Sequence, residues 1–467
     1  MKKFMTLKIF KEFQTKAQEF RSESLSDRLS RLDRLQTWIK KNTHLIEKSL
    51  DQDFKKPAFE TQTTEILTVL SELKYYKTYL AKWAKDKKVP TPISLAGHTS
   101  RIRFEPKGVV LIISPWNYPF QLAVIPLISA LAAGNSVILK PSELTVSTSE
   151  LLKRMCKDCF AEDEVLVELG DKLKTNELLN YNFNHVFFTG SAAVGRIIAV
   201  KCAEKLIPYT LELGGKSPAI IDQTADIKDA VKKIHWTKFS NRGQTCVAPD
   251  VLIVHKKIKD EFMFEYKKLE NSLSGEKSSQ IINEKNLIRL QNMCKDQVNL
   301  GSVHTHLIES KFKPNELALN SESLLNVNLK NKLPLIHTEE IFGPLALVYE
   351  FENFEDIEII YNLNPDPLAL YIFSENREQI NKVLKHFPSG GVGINTVVVH
   401  LANLNLPFGG IGQSGHGQYH GHFGFLEFSH QRAVLEQNLL SSSIEVLLPP
   451  YTNVKKRFIQ ILIKVTT

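Results

Sequence analysis

One cysteine stands among neighbours that favour nucleophilic chemistry. Cys246 ends the segment FSNRGQTC at 239–246, in which Gly243 and Gln244 form a flexible and polar approach to the thiol. This setting suits a thiol at the start of a helix, which would lower its pKa and increase the fraction of nucleophilic thiolate. The alternative is a buried and inert cysteine, which is the common state of a single Cys.

Two other side chains are of types that assist a nucleophile. Glu212 follows a short apolar run, and a carboxylate among apolar neighbours has the raised pKa that a general base needs. Asn117, in SPWNYP at 114–119, carries an amide N–H donor that could stabilise an oxyanion. The alternatives are a surface glutamate on a turn and a turn-forming asparagine between prolines.

The end of one predicted strand has features of a phosphate-binding turn. HVFFT at 185–189 leads into Gly190 and Ser191, and Gly195 lies near the start of a helical pattern. The free N–H groups of a helix N-terminus bind phosphate. The segment lacks the third glycine of the usual dinucleotide fingerprint, so it is a weak indication by itself.

A second strand end carries a charged pair. Lys140 ends the run SVILK, Glu143 follows it, and both could reach ribose hydroxyls from the carboxyl end of a parallel strand. The alternative is an ordinary solvated loop. Taken by itself, this segment favours that alternative.

The surrounding pattern predicts the elements that position these residues. Apolar residues recur at helical spacing from about 8 to 85, and turn signals then predict a protruding hairpin at 86–104. Short β-branched runs alternate with helical patterns at 109–113, 136–139, 165–169 and 185–189. This alternation predicts βαβ units and a parallel sheet. A second alternating set from Tyr209 onward places a domain boundary near Leu211.

Seven ordered motifs resemble the aldehyde dehydrogenase superfamily. They are PWNYP, KPSE, FTGS, LELGGKSP, GQTC, EEIFGP and LPFGG, and the likeness covers about residues 100 to 435. Two segments, GQTCVAPD at 243–250 and LPFGGIGQSGHGQYHGHFGFLEFSH at 406–430, are most similar in sequence to the class 3 branch, which acts on fatty and aromatic aldehydes.

The resemblance implies an α/β fold with a Rossmann-type doubly wound cofactor domain, an α/β catalytic domain and a small oligomerisation element. The expected bounds are 1–85 and 105–210 for the NAD(P)-binding domain, 211–410 for the catalytic domain, 86–104 and 411–440 for the oligomerisation or bridging element, and 441–467 for a C-terminal tail. Class 3 likeness also implies a homodimer.

The resemblance further implies a covalent mechanism. Cys246 would attack the aldehyde, and the Asn117 amide and the Cys246 backbone N–H would hold the oxyanion. Loss of hydride to a nicotinamide would give a thioester, and Glu212 would activate the water that hydrolyses it.

The same likeness implies a set of cofactor contacts. Glu340 would bind the nicotinamide ribose with Phe342 beside the ring, Lys140 and Glu143 would hold the adenosine ribose, and Ser191 would face the pyrophosphate. The remaining expected cofactor-binding residues are Trp116, Gly190, Gly195 and Leu213. We expect NAD to be preferred, because the Glu143 carboxylate would repel a 2′-phosphate, with NADP also accepted.

Two positions depart from the family pattern. Arg242 stands four residues before Cys246, where a small or neutral residue is usual, so it either depresses the thiol pKa or shapes the entrance of the site; we favour the entrance. Thr396 replaces an acidic residue that class 3 members often have after Asn395, a difference with no interpretation from the sequence.

Composition excludes several other classes of protein. The 467 residues are 43% hydrophobic and 24% charged, as in a soluble globular protein. The net charge of +8 comes from scattered residues, which gives little support to nucleic-acid binding. The five cysteines form no disulfide framework, no export signal is evident, and the apolar run at 122–134 is too short to span a bilayer. We therefore expect a cytoplasmic protein, with an apolar end that packs on protein or touches a surface.

Two apparent metal motifs are better explained by structure. Cys156 and Cys159 form a C-x-x-C pair on a helical pattern, without the second pair that a zinc site needs, so we expect both in the core. His416, His420 and His422 lie inside a structural part of the family fold. We expect no metal.

Two rival functions stay open. One is a CoA-acylating aldehyde dehydrogenase, a kind that generally lacks the glutamate found here as Glu212. The other is a catalytically inactive structural homologue, which intact Cys246, Glu212 and Asn117 disfavour.

Overall fold

The computed structural model describes residues 6–273, 275–293, 306–309, 334–438 and 447–466. Cys294 lies outside these residues.

The N-terminal region is helical, as its periodicity predicts. Its helices are α1 (Leu7–Phe20), α2 (Leu25–Lys41), α3 (Thr43–Phe54), α4 (Ala58–Thr61) and α5 (Leu67–Trp83), with the π-helical turn Gln62–Ile66 before α5. Side-chain caps start two of them: Thr6 accepts from the N–H of Ile9, and Ser24 and Asp27 form a capping box.

The first large sheet forms a doubly wound layer. Its strands are β3 (Val109–Ile113), β4 (Ser136–Lys140), β5 (Val165–Val167), β6 (His185–Thr189) and β7 (Tyr209–Glu212), and its helices are α6 (Gln121–Ala133), α7 (Val146–Cys159), α8 (Lys172–Leu178) and α9 (Ala192–Ala203). The five strands are parallel, in the order β7-β6-β3-β4-β5.

Alternate residues of β3 serve two cores. Val110 and Ile112 pack with helices α2, α3 and α5 to α7, whereas Val109 and Leu111 pack on the opposite face with α1 and α9. Helices on both faces explain why the strands are apolar throughout. The predicted α/β, Rossmann-type fold is confirmed.

The strand β7 corrects the position of the predicted boundary. It pairs in parallel with β6, and Gly415–His416 (β14) adds to its other edge in antiparallel orientation. A boundary near Leu211 therefore falls inside a strand of the first sheet, and the second sheet begins only at Pro218. The error arose because β7 is short and apolar, like the strands of the second sheet.

The second large sheet is parallel throughout its six strands, in the order β10-β11-β9-β8-β12-β13. The strands are β8 (Pro218–Ile221), β9 (Val251–His255), β10 (His306–Glu309), β11 (Leu345–Phe351), β12 (Ala369–Phe373) and β13 (Gly391–Ile394). The helices are α10 (Ile227–Phe239), α11 (Lys259–Ser272), α12 (Glu284–Met293), α13 (Leu335–Thr338), α14 (Phe354–Asn362) and α15 (Arg377–His386).

A third, antiparallel sheet joins distant parts of the chain. The predicted hairpin is β1 (Lys87–Val89) paired with β2 (His98–Pro106), and β2 also pairs along its length with β15 (Ser429–Gln437). Helix α16 (Gly421–Glu427) precedes β15, and α17 (Asn453–Thr466) is the last described helix. Within the described ranges, no helix combines the length and apolar character needed to span a membrane.

Candidate active site

A cavity of about 420 Å³ brings together most of the predicted site residues. The predicted residues that line it are Trp116, Asn117, Gly190, Ser191, Glu212, Leu213, Cys246, Glu340 and Phe342. They come from the carboxyl ends of three strands of the first sheet and from two loops of the second domain, so the cavity lies where parallel sheets bind ligands.

The backbone around Cys246 differs from the predicted helix start. Cys246 lies in a turn that follows a 3-10 helix at Ser240–Gly243. Asn241 and Arg242 both have positive φ, of 50° and 54°. Gly243, at φ +68°, lies so close to the next loop that a Cβ atom would be 2.2 Å from the Gly343 carbonyl oxygen. Tertiary contacts, and not a helix, therefore hold this segment.

The environment of the thiol also overturns the predicted direction of its pKa. Burial raises the pKa of Cys246, and the negative charges of Glu340 and Glu212 raise it further. The residue is half-buried and faces the cavity, so water that enters would moderate this effect. A thiol whose pKa is raised needs a base that accepts its proton before it can attack.

Glu212 ends β7 as a buried carboxyl group. Neither of its carboxylate oxygens has a hydrogen-bond partner among the described residues. Burial raises its pKa well above the usual value, and the charge of Glu427 adds to the shift. The raised pKa agrees with the expectation from the apolar strand that precedes Glu212.

The side chain of Asn117 is aimed at the Cys246 turn. Its Nδ2 donates to the Gln244 backbone carbonyl oxygen over 3.1 Å, and the backbone carbonyl oxygen of Asn117 accepts from Asn241 Nδ2 over 2.8 Å. These bonds fix the amide beside the loop two residues before the thiol. Asn117 itself lies in a bend between β3 and α6.

The loop that carries Glu340 and Phe342 is anchored by buried charges. Asp250 accepts from the Ile341 N–H over 2.6 Å and from Lys238 Nζ over 2.7 Å. Burial raises the pKa of Glu340 to about 8, and its Oε1 lacks a hydrogen-bond partner within the described ranges. Phe342 has a φ of 48° and meets Trp116 edge-on, with ring centroids 5.3 Å apart.

The N-terminus of α9 opens on the cavity. Ser191 precedes the helix without capping it through its side chain, and Gly190 and Ser191 both line the wall. Gly195 has a different role, because a Cβ there would be 2.7 Å from Leu213 Cδ2. It permits α9 to pack closely on Leu213 and does not itself reach the cavity.

Lys140 and Glu143 stand outside the lining of this cavity. Lys140 Nζ forms an ion pair with Glu143 Oε2 at 3.0 Å, with the lysine buried and the carboxylate half-exposed. Lys140 is the last residue of β4, and two strands, β3 and β6, separate β4 from β7 in the same sheet.

Arg242 lines another cavity, of about 840 Å³, and not the one that contains Cys246. Burial lowers its pKa. It is not among the groups that shift the pKa of Cys246. This placement supports neither interpretation of Arg242, that it lowers the thiol pKa or that it shapes the entrance. Thr396 lines neither cavity.

Several lining residues were not identified from the sequence. Arg289 holds the loop of Glu340, since its Nη2 donates to the Ile341 carbonyl over 2.6 Å and its Nη1 to that of Glu340 over 3.3 Å. Phe408 and Tyr419 belong to the long C-terminal motif, which was the available signal for them. Arg289 and Asn286 lie on α12, where no motif marks them.

The two cysteines of the C-x-x-C pair are in the core, as predicted. Cys156 and Cys159 are buried in the cluster between α7 and the first sheet. Burial raises the pKa of Cys156, and that of Cys159 to about 12, so both are unreactive thiols.

Comparison with known proteins identifies the family. A 4,4′-diaponeurosporen-aldehyde dehydrogenase of Staphylococcus aureus is 37% identical over 431 residues, covering 92% of this chain and 93% of that protein. The rat "Aldehyde dehydrogenase, dimeric NADP-preferring" is 36% identical over 90% of this chain and 92% of its own. "Aldehyde dehydrogenase family 3 member A2" of Pongo abelii is 35% identical over 90% and 86%.

Solved structures agree. "Substrate bound state of Staphylococcus Aureus AldH" superposes with a TM-score of 0.88 at 34% identity, covering 98% of this chain and 100% of that one. The model of the aldehyde dehydrogenase family matches residues 6–434. With the cysteine, the buried glutamate and the amide of its motifs gathered in one cavity, the chain belongs to the aldehyde dehydrogenase family and resembles its class 3 members, as its motifs predict.

Proposed function

We propose that this aldehyde dehydrogenase oxidises apolar aldehydes to carboxylic acids with NAD(P), through a covalent intermediate on Cys246 that water hydrolyses. One observation carries the proposal. The Cys246 thiol, the unpartnered Glu212 carboxyl group and the Asn117 amide line a single cavity. A nucleophile, a base and an oxyanion donor are the three groups that acyl chemistry requires.

Asn117 and the backbone of Cys246 stabilise the oxyanion. When the sulfur adds to the carbonyl carbon, the negative oxygen forms beside the amide that is already fixed near Gln244. A donor held in place before the reaction costs no reorganisation when charge develops. The Asn117 Nδ2 carries two N–H groups, so one can keep its bond to the Gln244 carbonyl while the other donates to the oxyanion.

Glu212 serves as the base. Its raised pKa makes its carboxylate a stronger base than an exposed glutamate, and an unpartnered carboxylate can orient a water molecule. It takes a proton from the water that attacks the thioester. The thiol must also lose its proton, and the rate of the first turnover in Glu212→Gln decides whether Glu212 accepts that proton as well.

The residues present fit a nicotinamide dinucleotide. Among the described residues the buried Glu340 Oε1 has no hydrogen-bond partner, and the first turn of α9, which begins after Ser191, presents backbone N–H groups to an anion. Glu340 would hold the nicotinamide ribose, Trp116, Leu213 and Phe342 would contact the ring region, and Lys140 and Glu143 would hold the adenosine ribose. When bound, the nicotinamide accepts the hydride that the tetrahedral adduct releases.

Cofactor preference follows from Glu143. Its half-exposed carboxylate favours a free 2′-hydroxyl over a 2′-phosphate, so we propose NAD as the preferred form. A relative is named NADP-preferring, and we propose that NADP is accepted too.

The cavity wall supports an apolar substrate. Leu122, Leu368, Phe408 and Tyr419 give it apolar and aromatic surface. Relatives are named for diaponeurosporen aldehyde and, in a probable enzyme of Pseudomonas aeruginosa, for coniferyl aldehyde. We propose aliphatic and aromatic aldehydes as the substrate class, and a cytoplasmic homodimer as the working form, since one relative is named dimeric.

The test is a substrate panel with purified protein. Aliphatic and aromatic aldehydes should each give one NADH per carboxylic acid formed, without CoA, and Cys246→Ser should give none. An acyl-CoA product, with no turnover unless CoA is present, would establish the acylating alternative. No turnover with any aldehyde or either cofactor would favour an inactive homologue.

A further inference from the structure

Helix α17 carries an apolar face that no described part of the chain covers. Val454, Phe458 and Ile461 follow the i, i+4, i+7 spacing that puts side chains on one side of a helix, and they are 77%, 44% and 59% exposed. Tyr451, 69% exposed, precedes the helix. An apolar stripe this exposed is normally covered by a partner surface.

The positive charge of the helix indicates what kind of surface covers this face. Lys455, Lys456, Arg457 and Lys464 lie on the same helix, and residues 446–467 contain no Asp or Glu. The helix thus carries four positive charges and no negative charge to balance them. A second copy of the helix would bring like charges together, which disfavours pairing between copies.

We propose that α17 binds the surface of anionic phospholipid membranes. The helix would lie in the plane of the interface, with Val454, Phe458 and Ile461 buried at the acyl boundary and the basic side chains at the phosphate groups. Tyr451 suits the same interface, because its ring is apolar and its hydroxyl polar. The helix is too short and too charged to cross the bilayer, so it anchors the protein at one surface.

Vesicle binding by the full chain tests the proposal. Co-sedimentation with phosphatidylglycerol–phosphatidylcholine vesicles should occur at low salt, weaken steeply as salt is raised, and be at least tenfold weaker with phosphatidylcholine alone. Activity on a water-soluble aldehyde should stay unchanged in every variant below, which shows that each is folded.

Matched variants separate the helix from the general surface. Phe458→Asp should lower vesicle affinity at least tenfold, whereas Phe264→Asp should not, although Phe264 on α11 is the more exposed of the two, at 66% against 44%. Lys456→Gln with Arg457→Gln should lower it about 30-fold, at about fivefold per basic residue. The control is Lys232→Gln with Lys267→Gln, which removes the same charge from exposed positions of α10 and α11.

Three results would overturn the proposal. The first is that the protein does not bind anionic vesicles, and the second is that the α17 variants and their controls lose equal vesicle affinity. The third is that Phe458→Asp changes the oligomeric state in light scattering while no vesicle binding is seen. The last would assign the face to a second copy of the chain.

Discussion

Gly243→Ala tests whether the packing of the Cys246 segment places the thiol. Gly243 has φ +68°, and an added Cβ would lie 2.2 Å from the Gly343 carbonyl oxygen, where ordinary contacts begin at 3.4 Å. The two loops must therefore separate by about 1 Å, which can cost about 100-fold in rate. The left-handed conformation costs about 1 kcal/mol, and the overlap about 1–3 kcal/mol more.

The assay is steady-state kinetics together with urea unfolding. Gly243→Ala should lower kcat/KM about 100-fold and lower the free energy of unfolding by about 2–4 kcal/mol. Gly275→Ala is the matched control, because its φ is +101° and nothing lies within 4 Å of the added Cβ. It should lose about 1 kcal/mol of stability and no activity. If both variants behave alike, the contact with Gly343 does not position Cys246.

Three further predictions concern the thiol, the cofactor and a buried acid. Cys246→Ser should abolish turnover, while cofactor binding, measured by fluorescence titration, stays nearly intact and Cys156→Ser stays active. If Cys246→Ser keeps more than a few per cent of the rate, Cys246 is not the nucleophile. Glu143→Gln should raise kcat/KM for NADP relative to NAD about fivefold, because it removes about 1 kcal/mol of repulsion between the exposed carboxylate and the 2′-phosphate. An unchanged ratio would show that Glu143 does not discriminate between the two cofactors. Burial raises the pKa of Glu72 from 4.5 to about 7, so its contribution to stability is present below pH 4.5 and lost as pH rises through 7. Glu72→Gln should therefore gain stability relative to the parent by about 1.4 kcal/mol per pH unit between pH 5 and pH 7, and the gain should level off at about 3 kcal/mol by pH 9. Urea unfolding at pH 5 and pH 9 measures the difference, and a constant difference would contradict the prediction.

The sequence predicted best what local pattern and motif determine. Short β-branched runs between helical patterns predicted the strands of the first sheet. Motif identity selected Asn117, Glu212 and Cys246, which the fold brings together from positions far apart in the chain. The raised pKa of Glu212 was predictable because the apolar residues of β7 surround it.

What the sequence failed to predict depends on contacts between distant segments. The pKa of Cys246 rises because the fold buries the thiol and because Glu340, nearly a hundred residues later, lies near it, and no local pattern shows either effect. Arg242 lines a second cavity because positive φ values turn the segment away from a helix. Arg289 supports the Glu340 loop through backbone carbonyls, which leave no motif.

The most direct test of the mechanism is single-turnover kinetics of Glu212→Gln. Glutamine keeps the size of the side chain but cannot take a proton, so the acylated Cys246 should form and then persist. With aldehyde and NAD, and without CoA, we predict a burst of NADH that approaches one equivalent per active site, followed by a much slower steady rate. A slow burst would mean that Glu212 also deprotonates the thiol. Unchanged steady-state turnover would show that another group activates the water, and would contradict the role assigned to Glu212.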